Sequence, residues 1–125
     1  MKQFGLGKAH KLCAKTAIDR LFSRRDANSA LAYPLRAVWC VDSERSTGEK
    51  VQFLISIPKK RLRHAVDRVS MRRRVREAYR LNHGAIVPNS QELPVNIAFI
   101  YIADNLEPYQ RVEKAMLKIL HKAFG

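Results

Sequence analysis

The chain has 125 residues, 46% of them hydrophobic and 28% charged, and its formal net charge is +13. This length predicts a single domain, residues 1–125, with a hydrophobic core, and the composition excludes a disordered tail. The excess of positive charge favours a nucleic acid as partner, with an anionic membrane surface as second choice. Because no apolar run approaches about 18 residues and the N-terminus lacks a signal-peptide pattern, we expect a cytoplasmic protein without a membrane partner.

The first part of the chain predicts a loose lead-in followed by a short helix. Residues 1–10 (MKQFGLGKAH) are weakly basic, and their G-x-G lacks the third glycine and the preceding strand of a dinucleotide-binding fingerprint. From Lys11 to about Phe22, apolar residues recur at helical spacing. They would share one face of an amphipathic helix: Cys13, Ala17, Ile18, Leu21 and Phe22.

Two strands are predicted next. From Tyr33 to Val41, alternating side chains would divide between the two faces of a strand. One face would carry Tyr33, Leu35, Ala37, Trp39 and Val41, and the other Arg36, Val38 and Cys40. The turn-like residues 42–50 (DSERSTGEK) would close a hairpin with a second strand from Val51 to Ile57, and a further short strand fits around residues 30–35.

The segment 59–80 is strongly basic, with ten Lys or Arg and only two acidic residues. From about Ala65 onward its residues suit a helix, because neither Gly nor Pro occurs before Gly84. One side of this helix is apolar and would dock on the protein: Met71, Val75, Ala78 and Tyr79. Arginines at every fourth position would form a ridge about 20 Å long beside it: Arg68, Arg72, Arg76 and Arg80.

Such a ridge indicates a polyanionic partner. Like charges at i and i+4 destabilise an isolated helix by a few tenths of a kcal/mol each, and a merely solubilising surface normally mixes the two signs. Arginine also matches phosphate geometry and stacks on bases better than lysine does. A purely solvated run of charge is the simpler alternative, which the length, single sign and arginine bias disfavour.

The last part of the chain predicts a loop, a strand and a helix. Asn82 to Pro94 is loop-like, and Val95 to Ile102 (VNIAFIYI) is apolar enough for a central strand buried on both faces. Pro108 suits the start of the final helix. The core stripe of that helix would be Val112, Ala115, Met116, Ile119 and Leu120.

The order of elements is therefore α-β-β-(β)-α-β-α. It predicts a single-domain, two-layer α+β sandwich in which helices pack on one mixed sheet. The basic helix would connect the strand at Val51–Ile57 to the strand at Val95–Ile102, and by default such a crossover is right-handed.

We find no catalytic or metal-binding pattern in the sequence. The 11 acidic residues are scattered, and G-x-S-x-G, Walker-type and H-E-x-x-H motifs do not occur. Cys13 and Cys40 form no C-x-x-C pair and the four histidines have no ligand spacing, so we predict neither a disulfide nor a protein metal site. A chain of this kind would serve an enzyme without supplying its nucleophile.

Residues 55–80 contain three runs with a recognisable pattern: ISIPKK (55–60), HAVDR (64–68) and RRRVREAYR (72–80). Together these runs resemble the protein component of bacterial ribonuclease P. The family pattern is a strand, K-K or K-R, a short loop, A-V-x-R-N-R and a basic helix ending in R-E/Q-A-F/Y-R. The order of the other elements matches along the whole chain, and the specific match is confined to residues 55–80.

The resemblance implies a fold, partners and sites. The family fold is similar to a ribosomal-protein domain with a left-handed crossover at the basic helix, against the default above. The implied partners are a catalytic RNA, which with Mg2+ removes the 5′ leader, and precursor tRNA; no obligate protein partner is evident. The RNA-facing residues would be Lys59, Lys60, Arg61, Arg68, Arg72, Arg73, Arg76 and Arg80. A cleft beside the first helix would hold the leader at Ile18, Phe22 and Trp39. Tyr33, predicted on the same strand face as Trp39, would join them, because single-stranded RNA is held by aromatic stacking beside positive charge. The alternative is that Phe22 and Trp39 are ordinary core residues.

The sequence departs from the family at one motif. Its R-N-R aligns with Arg68–Val69–Ser70, so an amide and a guanidinium are missing. The additional Arg74 would compensate for part of the lost charge.

Two other classes of function remain open from the residues alone. A ribosomal or other structural RNA-binding protein would bind RNA without leader-dependent processing. A nuclease acting on its own without metal is disfavoured, because no acid–base constellation is present.

Overall fold

Four strands and two long helices form the fold in a computed structural model, which describes residues 18, 21, 22, 28–41, 51–86 and 95–124. The strands are β1 (Asn28–Ala32), β2 (Leu35–Val41), β3 (Val51–Ser56) and β4 (Val95–Tyr101). The helices are α1 (Ala65–Ile86) and α2 (Tyr109–Phe124). Ile18, Leu21 and Phe22 are helical, as predicted. The rest of that helix, the lead-in at 1–10, Cys13 and the turn at 42–50 lie outside the described residues.

The strand predicted from Tyr33 to Val41 begins two residues later, as β2, and a separate short strand precedes it. Residues 28–32 form β1, the short strand expected near residues 30–35, and Tyr33 and Pro34 form the turn to β2. The prediction that Tyr33 opens a strand is therefore wrong. Pro34 has no N–H to give to a sheet ladder, and its carbonyl instead accepts a hydrogen bond from the Ile102 N–H at 2.9 Å, which ties the turn to the end of β4.

The sequence predicts a hairpin between the strand at Tyr33–Val41 and the strand at Val51–Ile57, and this prediction is wrong. The strand order is β1-β2-β4-β3, so β4 lies between β2 and β3. It pairs antiparallel with β2 and parallel with β3. Both faces of the apolar strand β4 are buried in this central position, as its sequence predicted. The parallel pair needs a crossover, which α1 supplies, and the hand of that crossover stays a prediction.

The side of the sheet covered by α1 and α2, called the inner face here, carries the main core. The predicted apolar sides of both helices are buried, and so are Leu35, Ala37 and Trp39 of β2. Tyr79 of α1 packs near the middle, with its ring centroid 4.6 Å from that of Phe53 and 5.7 Å from that of Phe99. The α+β sandwich is confirmed.

A second, smaller apolar cluster lies on the opposite side of the sheet, called the outer face here. Leu21, Cys40 and Ala98 are buried together there. Ile18, Val38 and Leu54 are partly buried against them. The N-terminal helical residues therefore cover part of the face that α1 and α2 leave open, and Cys40 is a buried free thiol.

Helix α1 continues past the point where the sequence predicts a loop. Asn82 and His83 belong to the helix, which ends at Ile86. The Asn82 amide donates to the Ala78 carbonyl at 2.7 Å and to a Glu113 carboxylate oxygen of α2 at 3.2 Å. The His83 ring stacks on Tyr79, with centroids 4.8 Å apart. The bond to Glu113 is a tertiary contact, and together with the two contacts inside α1 it stabilises helix beyond what local propensity indicates.

Candidate nucleic-acid interface

The basic loop before α1 is built on a turn that directs its lysines into solvent. The carbonyl of Pro58 accepts hydrogen bonds from the N–H groups of Arg61, at 2.9 Å, and Leu62. Leu62 is buried in the main core, whereas Lys59 and Lys60 are exposed. The apolar anchor therefore holds the turn in place while two ammonium groups stay outside.

Arg68 fixes this loop to the helix. Its Nη1 donates to the carbonyls of Leu62 at 2.8 Å and Arg63 at 2.9 Å, and the residue is half-buried. These carbonyls lie in an irregular segment just before α1, where no helical N–H reaches them. The first arginine of the predicted ridge is thus a structural clamp as well as a charge. Arg63, exposed in the same loop, was not among the predicted RNA-facing residues.

Three arginines on α1 are exposed, namely Arg72, Arg73 and Arg76. Arg72 donates from Nη1 to the Ile55 carbonyl of β3 at 2.7 Å, which holds its guanidinium beside the open edge of that strand. Together with the two loop lysines these residues form what we call the arginine surface: Lys59, Lys60, Arg72, Arg73 and Arg76. Charged groups on one rigid helix and one anchored turn suit a line of phosphates.

Two of the predicted RNA-facing arginines are paired within the protein. Arg80 forms an ion pair with Glu77, and its side-chain hydrogen bond lowers the pKa of that carboxyl despite an opposing effect of desolvation. Arg61 pairs with Asp104 at 3.0 Å. Both arginines are half-buried. The paired carboxylates offset part of the charge of these two arginines.

Arg74 does not join the arginine surface. It is half-buried on the other side of α1 and donates from Nη1 to the Glu107 carbonyl at 2.6 Å. The expectation that it replaces the charge missing from the R-N-R motif is therefore wrong. Its bond instead fixes the segment that leads into α2. At the motif itself, Val69 is 51% exposed, so an apolar side chain stands where the family pattern has an amide.

The four residues predicted for the leader cleft are not brought together. Ile18 packs at the outer face and Phe22, helical in the same N-terminal part, is 50% exposed, whereas Trp39 is only 9% exposed and belongs to the main core on the inner face. Tyr33 lies in the β1–β2 turn and lines a pocket against α2. Trp39 is therefore a core residue, and the cleft interpretation fails for it. Strand alternation places other residues on the outer face: Arg36, Val38, Leu54 and Ile100.

No three His, Cys, Asp or Glu side chains among the described residues lie together as a metal site requires. Within the same residues, no helix is long and apolar enough to cross a membrane.

Comparison with known proteins decides the family. A family model described as Ribonuclease P matches residues 6–123. The chain is 36% identical over 124 residues to the ribonuclease P protein component of two Porphyromonas gingivalis strains, a match that covers 98% of this chain and 88% of each relative. The chain belongs to the ribonuclease P protein family. The family resemblance predicted from residues 55–80 is confirmed, and with it a place in an RNA-binding, tRNA-processing ribonucleoprotein.

Solved ribonuclease P proteins share the fold. The Staphylococcus aureus protein superimposes with a TM-score of 0.71 at 20% identity, over 94% of this chain and 100% of that one. The Thermotoga maritima protein gives a TM-score of 0.69 at 17% identity, over 92% of this chain and 98% of that one. At these identities the superpositions establish the architecture alone. The chain therefore shares a common scaffold with proteins of strongly diverged sequence.

Proposed function

We propose that the protein is the accessory subunit of a cytoplasmic ribonuclease P, in which it binds the catalytic RNA and the 5′ leader of precursor tRNA. The observation that carries this proposal is the arginine surface. It joins an anchored basic turn to the exposed guanidinium groups of Arg72, Arg73 and Arg76 on one helix. A surface of one sign, supported by internal hydrogen bonds, is suited to the phosphates of a folded RNA.

The outer face of the sheet is the proposed leader site. Val38 and Leu54 are partly exposed there, Phe22 is 50% exposed and Arg36 is exposed. Single-stranded RNA binds where bases meet aromatic or apolar side chains beside positive charge. Ile18 and Phe22 keep the role predicted for them, while Val38 and Leu54 take the place assigned to Trp39.

The chemical step is assigned to Mg2+ held by the RNA, which supplies the hydrolytic chemistry. Among the described residues, no three His, Cys, Asp or Glu side chains lie together in a way that would fit such an ion. The protein's contribution is binding energy remote from the scissile phosphate. Contacts with the leader raise the affinity for the substrate and help to hold it on the catalytic RNA.

The test is precursor-tRNA cleavage by the cognate catalytic RNA at low Mg2+, with and without the protein. We expect stimulation that is lost when the leader is shortened to one nucleotide. The matched protein control is Phe22→Ala, which should reduce stimulation for the long leader only. RNA binding without any stimulation would favour a structural RNA-binding protein instead, and cleavage by the protein alone would contradict the accessory role.

A further inference from the structure

The exposed side of α2 carries a second basic stripe. Its cations lie at positions i, i+3, i+7 and i+11, so they share one side of the helix over about 16 Å. All are exposed: Arg111, Lys114, Lys118 and Lys122. These four residues are called the α2 basic stripe below.

The stripe is nearly free of compensating charge. Glu113, the acidic residue of α2, lies on another side, where its carboxylate accepts hydrogen bonds from Asn82 of α1 and from the Tyr109 hydroxyl. Glu107 pairs with Arg111 at 3.1 Å, although the Arg111 side chain remains 57% exposed. Lys114 and Lys118 therefore lie together as positive groups without a neighbouring carboxylate among the described residues.

An aromatic ring faces the stripe across a small pocket. The pocket has a volume of about 210 Å³ and is lined by Tyr33, Ala32 and Ala115 with three cations of the stripe, Arg111, Lys114 and Lys118. Tyr33 is 56% exposed, and its turn is held to β4 by the bond from Ile102 to the Pro34 carbonyl. The volume is below that of common small-molecule sites, about 300–1,000 Å³, so a compact part of a larger ligand fits better.

We propose that this pocket binds a single-stranded RNA segment, with one base against the Tyr33 ring and adjacent phosphates on Arg111, Lys114 and Lys118. An exposed aromatic ring beside a row of cations is the arrangement by which proteins hold single strands without reading much sequence. A protein partner fits less well, because the centres of protein interfaces are depleted of lysine.

This site is separate from the arginine surface. Helix α2 packs against β1 and β2, whereas α1 contacts β3, and β1 and β3 are the two edge strands of the four-stranded sheet. The site also differs from the outer face, because Tyr33 faces α2 on the inner side. The protein would then hold RNA at two edges of one rigid sheet.

The experiment uses a short single-stranded RNA containing 4-thiouridine, cross-linked to the full chain by light and mapped by mass spectrometry. We expect one cross-link at Tyr33 and another at Phe22, which reports separately on the outer face. Lys114→Ala with Lys118→Ala should raise the concentration for half-maximal cross-linking at Tyr33 on the order of 20-fold at 0.1 M salt. The binding constant measured through the Tyr33 cross-link should also depend less on salt. The slope of its logarithm against the logarithm of the salt concentration should fall in magnitude by about 1.4, since each single-strand phosphate contact contributes about 0.7.

Two controls make the test specific. Lys122→Ala removes one charge from the same helix outside the pocket, so the Tyr33 cross-link should change less than with Lys118→Ala alone. In a Phe22→Ala background, Tyr33→Phe keeps the ring and should bind the oligonucleotide as the Tyr33 parent does. Tyr33→Ala should bind it about 5-fold or more weakly, because one stacked base contributes about 1–3 kcal/mol.

Several outcomes would overturn the proposal. One is that no cross-link forms at Tyr33, and another is that this cross-link is unchanged in Lys114→Ala with Lys118→Ala. A third is that an oligomer without bases binds as tightly as the normal oligomer. Arg72→Ala with Arg76→Ala should leave the Tyr33 cross-link in place, and its loss there would assign the binding to the arginine surface. Precursor-tRNA processing is measured independently, so failure of this site and failure of the proposed function are distinguishable.

Discussion

The two long helices are both basic, but they use their charge differently. On α1, Arg68, Arg72 and Arg74 donate to backbone carbonyls and Arg80 pairs with Glu77. On α2, Lys114 and Lys118 line a pocket and have no such bonds among the described residues. A guanidinium has five donors and can brace the fold while it presents charge, whereas an ammonium acts as a mobile point charge. The first helix thus has a rigid charged surface and the second an adaptable one.

The largest expected effect lies on α1. Arg72→Ala with Arg76→Ala should weaken binding of the catalytic RNA on the order of 50-fold at 0.1 M salt. The salt slope should fall by about 1.8, since each lost phosphate contact contributes about 0.9. A filter-binding titration over several salt concentrations measures both quantities.

The control for that experiment keeps the charge. Arg72→Lys with Arg76→Lys should leave the slope nearly unchanged and lower the affinity only through lost guanidinium geometry. Thermal unfolding checks that loss of the Arg72 bond to Ile55 has not unfolded the chain. An unchanged slope in the alanine variant would remove the anchoring role from α1.

The next effect concerns stability. It distinguishes an arginine that donates to backbone carbonyls from a solvent-exposed lysine. Arg68→Ala should lower the free energy of unfolding by about 1–3 kcal/mol, because two loop carbonyls lose a charged donor. Lys118→Ala, which removes the same charge from α2, should change it by about 0.5 kcal/mol or less. Urea denaturation of both variants makes the comparison, and equal losses would show that the two helices do not differ in this way.

A smaller effect concerns Tyr109, at the start of α2, at high pH. Burial and a hydrogen bond to Glu113 raise the pKa of Tyr109 to about 12, from an ordinary value of 10. The folded state therefore keeps this proton longer than the unfolded chain does, and stability falls as the pH rises from about 10 to 12. Tyr109→Phe should flatten the fall, as followed by circular dichroism; an identical fall in both proteins would contradict this.

The smallest effect concerns Glu77. The Arg80 bond lowers the pKa of this carboxyl below 4.5, so its contribution is present above that pH and is lost as the pH falls through the folded-state pKa. Because both side chains of the pair are partly exposed to solvent, Glu77→Gln should remove only a small acid dependence of stability. Urea titrations at acid and neutral pH provide the measurement, and a large change would mean that the pair is more strongly shielded than its exposure indicates.

Much of the fold was predictable because it follows from local periodicity. The apolar stripe of α2, the docking side of α1 and the central character of β4 can all be read from residue spacing. Strand order could not be read, since the turn-like segment 42–50 has the composition of a hairpin loop although β4 separates β2 from β3. The pairing of distant strands depends on the whole sheet and is not indicated by any local sequence pattern.

The candidate site was predictable in its charge but not in its geometry. Alternation placed Trp39 and Val38 on opposite faces, yet it did not say which face the helices cover, so the aromatic residue was assigned to the cleft and Val38 was passed over. Similarly, the carbonyl partners of Arg68 and Arg74 come from separate segments that only the folded chain brings near. Helical spacing identifies which arginines share a side and leaves their bonds undetermined.

The central position of β4 has a consequence for synthesis of the chain. During translation, β2 and β3 leave the ribosome before β4, residues 95–101, which is the parallel partner of β3 and the second neighbour of β2 beside β1. The arginine-rich helix is therefore made before the sheet that buries its apolar side can assemble. During that interval the nascent chain is a basic, incompletely folded segment surrounded by ribosomal RNA. Early capture by its own RNA partner would shorten that exposure.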